Sequence, residues 1–424
     1  MNLIRKLLSP ILAITTLVQV SLAARGDPVP REHIDKPGTA VNLLLAGLGG
    51  FGEDVGLNYV VPYFGVLTGL EFGPELETLG YETYQPNIGP MSSMWDRSCE
   101  IYAQLTGTRV DYGAAHSARC GHERFGREYD KPLFEGWGPL RPLNLIGHSF
   151  GANTARMFAL LLDEGDAAER KATPKAERSP LFNGGMIDRV HSITTLAGVH
   201  NGTTAMGTLP DDYDEDDYLF IAELLNDLGT NRTVNRLWDL HLEHFGLSVE
   251  PGGRYLFKKT DEELARDFLN SLDHSLYECS IDGAAAFNKI DKIHPTVYYF
   301  SHSSVISRKA AEIQLPHARE ILDPVIFLFS FQIGRGMGWI PSPGGEWLAN
   351  DGVVPLPSAL YPKGQPHRGF VPGKTKVEPG VWNVMPTIQN ADHAFWCGGD
   401  FMRHSQEEVF GIYANIMELL EGTY

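Results

Sequence analysis

Cysteine is scarce in this chain: four in 424 residues, at Cys99, Cys120, Cys279 and Cys397. Two disulfides at most cannot scaffold a protein of this size, so stability has to come from a buried core, which a chain this long can supply. Basic side chains are also short, 35 Lys and Arg against 53 Asp and Glu, for a formal net charge of −18. That sign excludes nucleic acid and anionic membrane surfaces as electrostatic partners, while neutral apolar partners stay open. Beyond residue 23 no run is long and apolar enough to span a bilayer, so no stable membrane anchor is expected there. Repeats and low-complexity tracts are missing too, which excludes solenoids and linker-like chains.

The first 23 residues stand apart. Arg5 and Lys6 precede an apolar stretch from Pro10 to Val20, which closes on Ser21-Leu22-Ala23. A short apolar run with basic residues before it and a small-x-small end reads as a secretory signal cleaved near Ala23, and secretion follows from it. Residues 24–38 read as a loose N-terminal arm. The folded domain then runs over 39–424. Asn201-Gly202-Thr203 and Asn231-Arg232-Thr233 are glycosylation sequons, the second the better placed, because Asn201 directly follows a strand.

Three features define the fold class. Ala40–Ala46 is a continuous apolar run of the kind buried on both faces in a parallel sheet. It ends in the glycine-rich turn Gly47-Leu48-Gly49-Gly50-Phe51-Gly52. Residues 141–146 form a second apolar strand, followed by Gly147-His148-Ser149-Phe150-Gly151 and then by apolar residues at helical spacing over 152–162. Gly-x-Ser-x-Gly turns up by chance in a chain of this length about one time in five at average composition. Strand, motif and helix in that order are far more specific, and they describe the nucleophile elbow of an α/β-hydrolase. Further strands are expected at Thr83–Pro86, Val190–Ala197 and Val297–Ser301, and a closing helix at Glu407–Leu420. The fold class is therefore α/β: an α/β-hydrolase with a mostly parallel central sheet, an insertion at about 89–129 rich in His, Arg and aromatics, and a helical, acidic lid region at about 203–247. Gly47, Gly49 and Gly52 also fit a dinucleotide-binding loop, but that requires a helix opening at once and an acid after the second strand, and neither is present.

Chain order in this fold is Ser, then an acid, then His. His393 lies in Asn390-Ala391-Asp392-His393, just before the closing helix, and Asp351, in Asn350-Asp351-Gly352, is expected at a strand end upstream. A serine hydroxyl attacks poorly until an imidazole takes its proton, and a carboxylate must hold that imidazole in the right tautomer. Ser149, Asp351 and His393 are thus the catalytic candidates. Backbone N–H groups of Leu48 and Phe150 are the expected oxyanion donors. A non-catalytic lipid-binding or surface protein on a hydrolase shell is the rival from another class, and an amidase or peptidase would use the same three residues.

Longer stretches are more distinctive still: Gly89-Pro90-Met91-Ser92-Ser93-Met94-Trp95-Asp96-Arg97, Val110-Asp111-Tyr112-Gly113-Ala114-Ala115-His116, Gly121-His122 and Trp347-Leu348-Ala349-Asn350-Asp351-Gly352. Through these the chain resembles the thermostable bacterial lipases of family I.5, a set of zinc-containing true lipases, over nearly all of residues 24–424. The resemblance implies hydrolysis of water-insoluble esters, triacylglycerols first, at a lipid–water interface, with Ser149, Asp351 and His393 at the triad positions. It also implies a structural Zn2+ held by Asp96, His116 and His122, with Glu278 at the position of the fourth ligand. A Cys120–Cys279 disulfide pinning the same two segments is the alternative. A Ca2+ site after the catalytic histidine would keep Asp400 but meets Phe395, which cannot coordinate, so calcium is not expected. The chain departs from the family at Ala46-Gly47-Leu48, where the family has His-Gly-Phe, and at Gly147 and Phe150, where it has alanine and glutamine.

Overall fold

A computed structural model describes residues 40–424 except 56–57, 59–61, 66–69, 206–237, 251–253, 258–260, 317–323, 337–341 and 399–403. The signal-like segment, the N-terminal arm, Asn231, Asp400 and most of the expected lid lie outside the described residues.

Seven strands form one parallel sheet: β1 (Val41–Leu45), β2 (Thr83–Tyr84), β3 (Leu143–His148), β4 (Val190–Leu196), β5 (Tyr298–His302), β6 (His367–Gly369) and β7 (Trp382–Val384), in the spatial order β6-β7-β5-β4-β3-β1-β2. The inner strands β1 and β3 are buried along their whole length, which is why they read as mainly apolar runs, interrupted at Asn42, Asn144 and His148, rather than as alternating ones. β3 runs on through Gly147 and His148, so the elbow serine sits immediately beyond its last residue. Helices cover both faces. They include α1 (Phe72–Thr78), α2 (Met94–Thr106), α3 (Ala114–Cys120), α4 (Phe150–Glu164) and α5 (Gln406–Glu421). Residues 46–55 after β1 form turns and irregular chain, so the glycine turn does not open into a helix as a dinucleotide loop would.

The segment 89–129 is not a simple appendage. Its first element, α2, packs against α4 in the core, and only α3 and the antiparallel ribbon Arg109–Asp111 with Phe125–Glu128 extend from it. Ser93 caps α2 by accepting the Asp96 N–H, and Gly107 ends it in the left-handed region at φ 61°.

Helix α4 carries the elbow, and a buried ion pair anchors its middle. Arg156 bonds Asp291 Oδ2 through Nε at 2.9 Å and Nη2 at 2.6 Å, and Asn288 Oδ1 through Nη2. Both charged side chains are almost wholly buried, so either one alone would be an uncompensated charge in a low-dielectric interior. Arg156→Met should lower unfolding stability by about 3–5 kcal/mol in urea titrations. Arg156→Met combined with Asp291→Leu should recover most of that loss.

Candidate active site and metal cluster

Ser149 stands between β3 and α4 with φ 56° and ψ −125°. A non-glycine residue held there costs on the order of 1–3 kcal/mol, which only an over-determined surrounding can sustain. Ser149 N–H donates to Leu196 O at 2.9 Å, which ties the elbow to the end of β4. A Cβ on Gly151 would overlap the Leu45 carbonyl, and one on Gly147 would overlap the Gly151 backbone. In this chain both glycines of the motif let the turn pack closely.

The glycine turn after β1 closes over the serine. A Cβ on Gly47 would lie 2.7 Å from Ser149 Cβ and 2.8 Å from the Tyr63 hydroxyl. Gly47 N–H donates to that hydroxyl at 2.9 Å and Gly49 N–H to Pro90 O at 2.9 Å. These bonds fix the chain on both sides of Leu48, whose N–H was one expected oxyanion donor. Phe150, the other, is the first residue of α4, where backbone N–H groups point outward along the helix axis. Beneath both lies Arg97, fully buried. Its Nη2 donates to the Ala46 carbonyl, and its guanidinium sits 5.1 Å from the centroid of the Phe150 ring. Burial lowers the Arg97 pKa to about 10, against the pull of Glu100.

His393 and Asp351 meet as a pair. His393 Nδ1 lies 2.8 Å from Asp351 Oδ2, and His393 N–H donates to the Asp351 backbone carbonyl at 2.8 Å. Asp351 is wholly buried. Its second oxygen accepts from Val353 N–H at 2.9 Å and Val354 N–H at 2.7 Å. Bonded on both oxygens, the carboxylate can stay ionised while buried and hold the imidazole with Nε2 free. The expected strand end is corrected here. Asp351 follows a 3-10 turn, Gly345–Leu348, in a loop closed by an isolated Asn350–Pro355 bridge. The loop shape comes from those local amide bonds and not from the sheet.

His148, the elbow residue before Ser149, was not singled out in the sequence. Its ring centroid is 4.7 Å from that of His393. Tyr63 Oη lies 2.8 Å from His148 Nδ1, and His148 Nε2 lies 3.2 Å from the His393 carbonyl. Burial, with the neighbouring His393 charge adding to it, pushes His148 well below the ordinary histidine range.

A second cluster forms where α2 and α3 meet the chain near Asp273. His116 Nε2 lies 2.9 Å from Asp273 Oδ2 and 3.4 Å from Asp96 Oδ1, and His122 Nε2 lies 3.2 Å from Asp273 Oδ2. Ligand atoms of His116, Cys120, His122 and Asp273 lie within 4.8 Å of one another, as do those of Asp96, His122 and His244. Asp96, His116 and His122 are thus brought together as expected. Glu278 is not: it falls outside both groups, and its Oε2 accepts Met94 N–H at 2.6 Å. Asp273, which follows Leu272 at φ 58°, stands in the first group instead. His244, 2.9 Å from Asp96 Oδ2, was also missed. All four cysteines are free, so the Cys120–Cys279 alternative is not formed.

The donor set fits a divalent cation. Two buried carboxylates face three imidazoles, and the buried Asp96 Oδ1 has no hydrogen-bond partner. Without a cation the imidazoles must supply the charge. Burial opposes it, yet bonding to Asp273 pushes His122 up to about 10. Ligation through His116 Nε2 requires a proton on Nδ1, so the exposed Arg119 guanidinium, 2.8 Å from Nδ1, has to turn away. Phe395, at the place of the calcium ligand, is buried beside Trp396 and His404.

Comparison with known proteins places this geometry among lipases. The family described as "Lipase-like, C-terminal domain" matches residues 39–422. A lipase of Staphylococcus epidermidis is 32% identical over 362 residues, covering 84% of this chain and 50% of the relative. Lipase 2 of Staphylococcus aureus is 33% identical over 350 residues, covering 81% and 48%. The chain thus spans about half the length of the curated relatives it matches. Among solved structures, Staphylococcus hyicus lipase superposes with a TM-score of 0.78 at 28% identity, covering 93% of this chain and 98% of that one. EstA from Clostridium botulinum gives 0.73 at 29% identity, covering 93% and 91%. Lipase 1 from Pelosinus fermentans gives 0.70 at 30%, covering 90% and 99%.

The cluster yields a direct comparison. Asp273→Asn should weaken Zn2+ binding at least about tenfold in a chelator-competition titration, while Glu278→Gln should leave it nearly unchanged. Equal losses would return Glu278 to the ligand set.

Proposed function

Because the chain belongs to the lipase-like family matched over residues 39–422, we propose that it hydrolyses carboxylic esters of lipids, triacylglycerols first, with Ser149 as nucleophile. The observation that carries this reading is the buried Asp351–His393 pair, 2.8 Å apart, in a chain whose elbow serine is held at φ 56°.

In the acylation half, His393 Nε2 takes the Ser149 proton as Oγ attacks the ester carbonyl. Negative charge collects on the former carbonyl oxygen, where Leu48 and Phe150 N–H groups stabilise it, each by about 2.7–4 kcal/mol. The alcohol leaves with the proton carried by His393. Water then attacks the acyl-serine, giving its proton to His393, and the fatty acid is released as that proton returns to Ser149. Asp351 stays ionised throughout and steadies the imidazolium in both halves.

Asp96, His116, His122 and Asp273 would hold a structural Zn2+, the feature that brings the chain nearest to the zinc-containing family I.5. A zinc ion there supplies the positive charge that the facing carboxylates need and ties α2 and α3 to the chain at Asp273. Calcium plays no part in this reading. The signal-like residues 1–23 support secretion, which suits a substrate met at a lipid–water interface. Among the described residues no helix is long and apolar enough to cross a membrane.

Purified protein should release fatty acid from emulsified long-chain triacylglycerol, and Ser149→Ala should abolish the release. Asp351→Ala should lower kcat by about 10^4. Release confined to soluble short-chain esters would make the protein an esterase, and silence on both substrates would overturn the reading.

A further inference from the structure

Three loops far apart in sequence have to stay in register for the proposed chemistry: the glycine turn at Gly47, the elbow at His148–Ser149 and the loop carrying His393. A single hydrogen-bonded chain runs through all of them. Gly47 N–H donates to Tyr63 Oη at 2.9 Å. That hydroxyl lies 2.8 Å from His148 Nδ1, and His148 Nε2 lies 3.2 Å from the His393 carbonyl oxygen. A carbonyl can only accept, so Nε2 carries the ring proton and Nδ1 accepts a hydrogen bond from the Tyr63 O–H. The hydroxyl is then used in both roles, accepting from Gly47 and donating to His148. Each member has one defined direction.

We propose that Tyr63 and His148 are positioning residues, joined as one unit that sets the His393 loop and the glycine turn against the elbow serine. The proposal rests on the hydrolase reading above. Neither side chain is assigned contact with the ester. Their effect passes through the Gly47 amide and the His393 backbone, which also bonds Asp351 O at 2.8 Å. The arrangement also bears on charge. His148 faces His393 ring to ring, and two cations at that separation would repel as the imidazolium forms. With Nδ1 accepting and Nε2 donating, His148 is held uncharged there, in line with the direction in which burial moves it. Cys397 Sγ lies 3.2 Å from the same Nδ1, but a thiol is a weak donor and is not expected to replace the hydroxyl.

The test is a double-mutant cycle on the intact chain, with p-nitrophenyl butyrate turnover, labelling of Ser149 by a fluorophosphonate, and thermal midpoints. Tyr63→Phe keeps the ring and removes only the hydroxyl. It should lower kcat by tenfold or more, leave KM within about twofold, and slow labelling in proportion. His148→Leu should do the same, and His148→Gln, which keeps a donor and an acceptor, should recover part of the loss. The double variant should be no worse than the poorer single one, as expected of residues acting as a unit. The proposal is overturned if Tyr63→Phe keeps kcat within twofold of the parent, if the two losses multiply, or if His148→Gln is no better than His148→Leu. A parent protein that neither turns over ester nor takes the label would instead sink the hydrolase reading itself.

Discussion

The backbone of one residue constrains the rest of this molecule. Ser149 at φ 56° is strained, and the strain persists only because nothing around it can give way. β3 ends at His148 and α4 begins at Phe150, so the turn has a single residue in which to reverse direction. Gly147 and Gly151 have no space for a Cβ, and Gly47 on the neighbouring turn has none either. The resulting contact between two turns puts the serine under the glycine loop and not out in solvent.

Charge burial is handled differently in the two polar centres. Asp351 is neutralised locally, by one imidazole and two amides, and both its oxygens are bonded. The cluster around Asp96 and Asp273 is under-supplied by comparison. Its carboxylates share imidazoles, and Asp96 Oδ1, 3.4 Å from His116 Nε2, accepts no hydrogen bond. A protein interior does not leave that imbalance standing without a proton or a cation. The first arrangement suits an acid that must stay ionised while its histidine changes charge. The second suits a fixed cation.

The parts of the fold that could be read from the sequence were those with a strong local signature. Buried parallel strands such as Val41–Leu45 and Leu143–His148 are long apolar runs, and the elbow is a motif with a steric cause. The short strands His367–Gly369 and Trp382–Val384 were missed because three residues carry no periodicity. Ser149, His393 and Asp351 were chosen by order along the chain, and the last two lie 2.8 Å apart; the setting of Asp351 was not legible, since its loop is shaped by its own amides. Glu278 was placed in the ligand set by matching local sequence, and Asp273, five residues before it, carries no local signal that would have singled it out. Tyr63 sits in a bend and His244 in the short 3-10 turn Glu243–Phe245, with partners 85 and 148 residues away in sequence.

Adjacent residues on α2 connect the two centres. Asp96 lies in the first turn of the helix and faces the cluster, while Arg97 reaches the Ala46 carbonyl and stacks on Phe150. The N-terminus of the same helix is held by Ser93 and by Glu278 through Met94 N–H. A fully buried guanidinium cannot relocate cheaply, so its reach fixes how far α2 stands from the glycine turn. The cluster in turn fixes the rotation and tilt of α2 through Asp96. Nearness alone does not make two sites coupled. Here, though, the connecting element is a capped helix packed on α4, the helix that begins at the elbow. Asp96 and Arg97 thus set the cluster and the carbonyl just before the glycine turn against successive residues of one helix.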